Sequence, residues 1–314
     1  MSNLFLYAAT VLVWGSTWIA IEFQLGAVAP EVSVFYRYVF AATLLFGWCL
    51  LKGKSLRFSL KSHSRFVMLG LLLFGLNYIL TYHAQQYITS ALSAICFSTM
   101  LWMNMINSRI FFGVRSGARV IVGSLFGVAG IVVLFLPQVE SLSFSDATLY
   151  GAALCVVGAA LASLGNMVSQ GAQKAGLPII QSNAWGMFYG AVVTGAIAFG
   201  QGHSFVIVPT PAYIISMAYL VVFGSIVAFG AYLTLLGRIG AHRAGYAMIM
   251  FPVVALVLSV LFEGLEPSWN VLSGVMMVIA GNFVILSGSR SAGSRSVEKL
   301  EQPPQCVAAT QAAR

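Results

Sequence analysis

The sequence predicts an all-α integral membrane protein of ten transmembrane helices, arranged as two inverted five-helix repeats. Three observations predict it. Of 314 residues, 59% are apolar and 8% charged, and the mean hydropathy is +0.91; soluble domains carry about 25% charged residues. The apolar residues fall into ten runs, each near the roughly 20 residues that cross a bilayer. The chain also repeats itself. Phe74-Gly75, Tyr82, Ala91, Ala94, Phe111, Gly123, Ala129 and Gly130 recur in the same order as Phe223-Gly224, Tyr232, Ala241, Ala244, Phe262, Gly274, Ala280 and Gly281. Pro30, Phe40 and Gly47 extend the match to Pro178, Phe188 and Gly195. Such self-similarity outranks any single motif as a clue to architecture.

In chain order the runs cover about 4–22, 33–51, 66–85, 90–109, 119–136, 148–168, 181–199, 212–235, 244–262 and 269–288. Each is too long and too uniformly apolar for a strand, and the links carry Gly, Pro, Ser and charge. No basic stretch precedes the first run, so it reads as a retained span rather than a cleaved signal peptide. Residues 1–142 form the first repeat, 143–288 the second, and 289–314 a disordered cytoplasmic tail rich in Ser, Gln, Pro and Ala.

Charge sets the orientation. Fifteen of the sixteen Lys and Arg fall in alternate links or the tail, from Lys52–Arg65 through Arg109–Arg119, Lys174 and Arg238–Arg243 to Arg290–Arg314. The other links hold Glu31, Glu140, Asp146, Glu263 and Glu266. The positive-inside rule then puts both termini in the cytoplasm of a multi-pass bacterial inner-membrane protein. Five spans per half force the second half to enter the membrane upside down, as in many secondary transporters.

The net charge of +8 belongs to these cytoplasmic links, so no nucleic acid is implied. Cys49, Cys96 and Cys155 lie in apolar runs and Cys306 in the tail, with no metal-binding spacing. Nothing reads GxxxxGK[ST], HExxH or GxSxG. The sequence therefore predicts no catalytic residue, no metal and no cofactor. Its partners are a small-molecule substrate and the lipid bilayer, with the chain a monomer or loose dimer.

Polar groups at membrane depth are costly and mark candidate sites. Asn77 and Thr81, and Tyr78 and Tyr82, are each one helical turn apart and share a face that should point inward. Trp14, Ser98, Trp102, Asn166, Tyr232, Tyr246 and Met250 join them as walls of an aromatic, weakly polar cavity, although interhelical hydrogen bonding or packing also accounts for each one singly. Glu22 and Arg37 lie near one membrane face, either as an ion pair or snorkelling to the interface. His83, at the end of the third run, is an interfacial group or a proton carrier.

The ordered set of Trp14-Gly15-Ser16, Pro30, Arg37, Tyr87, Thr89-Ser90-Ala91, Phe251-Pro252 and the Gly-rich runs ending at Gly130 and Gly281 resembles the drug/metabolite transporter superfamily in its ten-helix EamA-type branch. The resemblance spans about residues 4–288. It departs from the family at Trp102, which stands where the second half has Pro252, and near Phe112-Gly113, where the family's acidic residue is missing. The resemblance implies export or exchange of small metabolites by alternating access, with spans one, three, four, six, eight and nine around the cavity and Pro252 as a hinge. The scarcity of carboxylates in the membrane favours neutral or zwitterionic substrates such as amino acids. The rival class is a membrane enzyme or receptor. An enzyme needs paired Asp, Glu or His at one depth, and a receptor needs a binding domain.

Overall fold

The computed structural model describes residues 1–26, 28–88, 90–134, 136, 146–251, 253–254 and 268–298, and among these it contains helices and no strand. The helices are α1 (Asn3–Glu22), α2 (Pro30–Leu51), α3 (Leu60–Ala84), α4 (Ser90–Ser98), α5 (Met100–Phe112), α6 (Ala118–Leu134), α7 (Asp146–Lys174), α8 (Ile179–Gly200), α9 (Pro211–Ile239), α10 (Ala241–Ala244) and α11 (Trp269–Glu298). A further helical stretch is described at 247–251.

Local chemistry sets the ends. Ser2, Ser59 and Thr210 accept hydrogen bonds from Phe5, Ser62 and Tyr213 backbone N–H groups at the starts of α1, α3 and α9, which relieves unpaired first-turn donors. Pro30 and Pro211 open α2 and α9, where a missing N–H costs nothing. Gly113 ends α5 with φ of 65°, a conformation that favours glycine.

Five helices, α1, α2, α3, α7 and α9, are long and apolar enough to cross a membrane; α6 and the Trp269–Ile285 part of α11 are shorter apolar helices. The fourth apolar run is not one helix. It divides at Thr99, whose hydroxyl turns back to the Cys96 carbonyl. The expected disordered tail also starts too early, because α11 continues to Glu298; proline, the strongest breaker, first appears after that at Pro303. Residues 299–314 lie outside the described residues, as does Pro252.

Two features were not anticipated. Residues Gly70–Leu76 of α3 and Leu220–Val227 of α9 are π-helical. They contain the repeated dipeptides Phe74-Gly75 and Phe223-Gly224. Insertions of this kind rotate the residues that follow and are frequent at functional sites.

The packing joins the two stretches helix against helix. A Cβ on Gly130 would lie 2.8 Å from the Gly274 carbonyl oxygen, and one on Gly123 would lie 2.7 Å from that of Gly281. Residues early in α6 therefore meet residues late in α11, so the two run antiparallel with backbones nearly touching. In the α2–α8 pair, Phe35 covers Gly195 while Phe46 stacks edge-on to Trp185 at 5.0 Å. In α3–α7, Leu73 abuts Gly165 and Asn77 abuts Gly158. In α1–α9, Gln24 meets Tyr213 while Trp14 meets Gly224. All four pairs are antiparallel and each joins an early helix to a late one. Cys49, Cys96 and Cys155 are free and buried.

Candidate functional site

A narrow cavity lies among these helices. α1 contributes Trp14, Thr17, Trp18 and Ile21, and α3 contributes Leu73, Asn77, Tyr78 and Thr81. Phe97 and Met100 come from α4 and α5, Ala162 and Asn166 from α7, Phe229 and Tyr232 from α9, and Met248 and Phe251 from the helical stretch after α10. These are the helices of the six expected walls. The space open to the centre of a water molecule is about 60 Å³. One such centre needs roughly 10–15 Å³, so the cavity has room for a few waters. Among the described residues, no Asp, Glu, Lys, Arg or His lines it.

Its walls are fixed by aromatic packing. The Trp14 ring lies 4.7 Å from Phe229, 5.0 Å from Tyr232 and 5.7 Å from Phe251, mostly edge-on, the arrangement ring quadrupoles favour. The indole N–H donates to the Gly224 carbonyl in the π-helical part of α9 at 3.0 Å. The polar groups are few and local. Thr81 donates to the Asn77 carbonyl at 2.8 Å, and the Asn77 amide to the Leu73 carbonyl at 3.2 Å. Asn166 bridges the two stretches: its amide N–H₂ donates to the Tyr232 hydroxyl at 3.0 Å and to Asn104 Oδ1 at 3.3 Å. The Asn166 carbonyl oxygen and the Asn104 amide nitrogen are buried with no hydrogen-bond partner. Groups of that kind are available to a ligand.

Of the residues expected to face substrate, the structure gathers Trp14, Asn77, Tyr78, Thr81, Asn166 and Tyr232 into the cavity wall. Tyr82 and Ser98 are buried in packing and are not part of it. Trp102 and Tyr246 belong instead to a second apolar cluster with Leu101, Val120 and Val278, and Met250 packs against both clusters without reaching the cavity. The Tyr246 hydroxyl donates to the Val120 carbonyl at 2.5 Å, which holds its ring in that cluster. Sequence reasoning passed over Phe97, Met100, Phe229 and Met248, and Phe251 entered it only through the Phe251-Pro252 resemblance. Phe229 stands one turn from Tyr232, a spacing that signals a shared face.

Glu22 and Arg37 do not pair. Glu22 is exposed at the end of α1. Arg37 is 1% exposed; its Nε donates to Ser225 Oγ at 2.8 Å, and the guanidinium carbon lies 4.6 Å from the centre of the Tyr78 ring. The cation is thus held by a hydroxyl and an aromatic face rather than by a carboxylate. His83 pairs with Glu31, which the charge pattern had placed in a solvated link; Glu31 is 1% exposed in the first turn of α2. Among the described residues no group of three His, Cys, Asp or Glu is spaced to hold a metal ion.

Comparison with known proteins agrees with this geometry. The EamA-like transporter family matches residues 1–136 and again 149–287. The uncharacterized transporter YoaV of Bacillus subtilis is 26% identical over 88% of this chain and 94% of its own length. The uncharacterized inner membrane transporter YedA of Escherichia coli is 27% identical over 80% of this chain and 79% of its own. A solved crystal structure of a protein 17% identical in sequence has the same fold, with a TM-score of 0.75 over 96% of this chain and 99% of that one. With two family matches covering most of its length, around a cavity walled from both, the chain belongs to the EamA-like transporter family.

Proposed function

We propose that the protein is a secondary transporter that exports or exchanges small neutral or zwitterionic metabolites, amino acids among them, by alternating access. The observation that carries this reading is the narrow, aromatic cavity, uncharged among the described residues, with walls drawn from both matched segments. The space is too narrow for a metabolite as it stands, so the walls must part during the cycle. Ten spans in two inverted halves, 1–142 and 143–288, with both termini in the cytoplasm of a bacterial inner membrane, suit such a cycle. The antiparallel pairing of α6 with α11 and of α2 with α8 supports that inversion. The matching π-helical segments of α3 and α9 are the natural bending points. Their extra residue leaves carbonyls outside the regular ladder, and those of α9 hold Trp14 and, through Ser225, Arg37.

The test is a metabolite comparison of cells and medium with the gene overexpressed and deleted. A compound that leaves the cells with overexpression and accumulates on deletion identifies the cargo. Unchanged pools across the panel, with catalytic turnover by the purified protein in detergent and no movement in liposomes, would replace transport with enzymology.

A further inference from the structure

Glu31 is a buried carboxylate whose only ionic partners among the described residues are two imidazoles. Its Oε1 lies 2.5 Å from His83 Nε2, and its Oε2 lies 3.7 Å from His203 Nε2. The second distance is an ion-pair separation rather than a hydrogen bond, and Oε2 has no hydrogen-bond partner. The carboxylate side chain is 2% exposed, whereas the two rings are 34% and 40% exposed and open to water. The three residues come from three places: the first turn of α2, the last turn of α3, and the link between α8 and α9.

Among the described residues the surroundings offer no other counter-charge; α7, packed on the C-terminal part of α3, carries Asp146 and Tyr150 near its start. α8 and the π-helical part of α9, both packed on α2, carry no Asp, Glu, Lys, Arg or His. On α2 the other charge is Arg37, turned inward to Ser225. On the C-terminal part of α3 the titratable groups are Tyr78, Tyr82 and His83, and α9 adds Tyr213, which bonds Ser33. Glu22, at the end of α1, makes no ion pair. A buried carboxylate needs a cation, and here only protonated imidazole supplies one. Imidazole ordinarily changes charge near pH 6.5, whereas lysine and arginine do not.

We propose that Glu31, His83 and His203 form a proton-binding site that latches the α8–α9 link onto the corner of α2 and α3. With both rings protonated and Glu31 ionised, each carboxylate oxygen faces a cation and His203 is drawn in. When the rings lose their protons the 3.7 Å contact loses its attraction and the link is released. His83 closes the end of α3 that also carries Thr81 of the cavity wall, and release of the latch frees that end of the helix. A role for that release in transport rests on the transport reading; the latch itself does not.

The test uses the full chain in lipid nanodiscs, without substrate, its four native cysteines replaced by alanine and a nitroxide attached at Ser204→Cys. Spectra at pH 5.5 and 8.5 straddle the ordinary imidazole value while staying above the ordinary glutamate value of about 4.3. The expected result is an immobilised label at pH 5.5 and a several-fold larger mobile fraction at pH 8.5. In His203→Gln, where the altered ring is half exposed and folding is not at stake, the label should be mobile at both. Glu31→Gln should match it. Equal mobility at both pH values in the parent, or a pH response that survives in His203→Gln, overturns the proposal and leaves the transport reading to its own metabolite test.

Discussion

Asn166 holds two parts of the cavity wall together through one amide, and its neighbours show what a single polar atom does there. Tyr232→Phe removes the hydroxyl that accepts from Asn166 while keeping the ring against Trp14. A buried donor left partly unmet costs about 1–3 kcal/mol, so the thermal midpoint in detergent should fall and the order of preferred cargoes should change. Trp102→Ala should behave differently. Its ring packs in the second cluster, away from the cavity, and it is only half buried, so truncation should cost about 3 kcal/mol, near the low end for a large aromatic. Membrane abundance and transport of every cargo should fall together; a changed cargo profile at normal abundance would return Trp102 to the wall. The contrast shows what sequence conveys at this scale. Asn77, Tyr78 and Thr81 were legible because a three- or four-residue spacing fixes a shared face within one helix. Trp102 was not, because which apolar cluster a side chain joins depends on neighbouring helices that spacing within one helix does not reveal. The meeting of Glu31, His83 and His203 was not legible either, since no local spacing relates residues so far apart in the chain.

Among the elements, α6 and α11 are bound most tightly to glycine. Gly130→Ala would set a methyl 2.8 Å from the Gly274 carbonyl and the Val278 nitrogen, backbone atoms that cannot step aside. Overpacking of this kind costs about 1–3 kcal/mol, to be read as lost membrane abundance and a lower thermal midpoint. Gly47→Ala is the control: a Cβ there meets nothing within 4 Å, and both measurements should stay at or slightly above the parent's values. The repeated glycines at 123, 130, 274 and 281 were visible in the sequence, and close helix approach is the reason glycine recurs at them. The π-helical segments were not visible, because a run that is apolar on every side has no periodicity from which a shifted turn can be read. Their position was marked all the same, by the Phe-Gly pair that the chain repeats.

For the whole molecule, the distribution of Lys and Arg predicts the orientation. A reporter active only outside the cytoplasm should be silent when fused after Gly288 and active when fused near Gly202; the reverse pattern would invert the molecule and put the Glu31 latch on the cytoplasmic side. Composition and the spacing of apolar runs were enough for the all-helical membrane class, whereas the pairing of helices needed coordinates, because hydropathy does not say which apolar face meets which. That pairing bears on biogenesis. α3 finds its partner in α7, complete at Lys174, α2 in α8, complete at Gly200, and α6 only in α11, so the early helices wait from about halfway through synthesis to nearly its end for their lasting neighbours. Nascent α6 must wait in lipid with its glycine groove empty. Premature termination after Leu134 would leave no half-sized carrier, only inserted helices for quality-control proteases to clear.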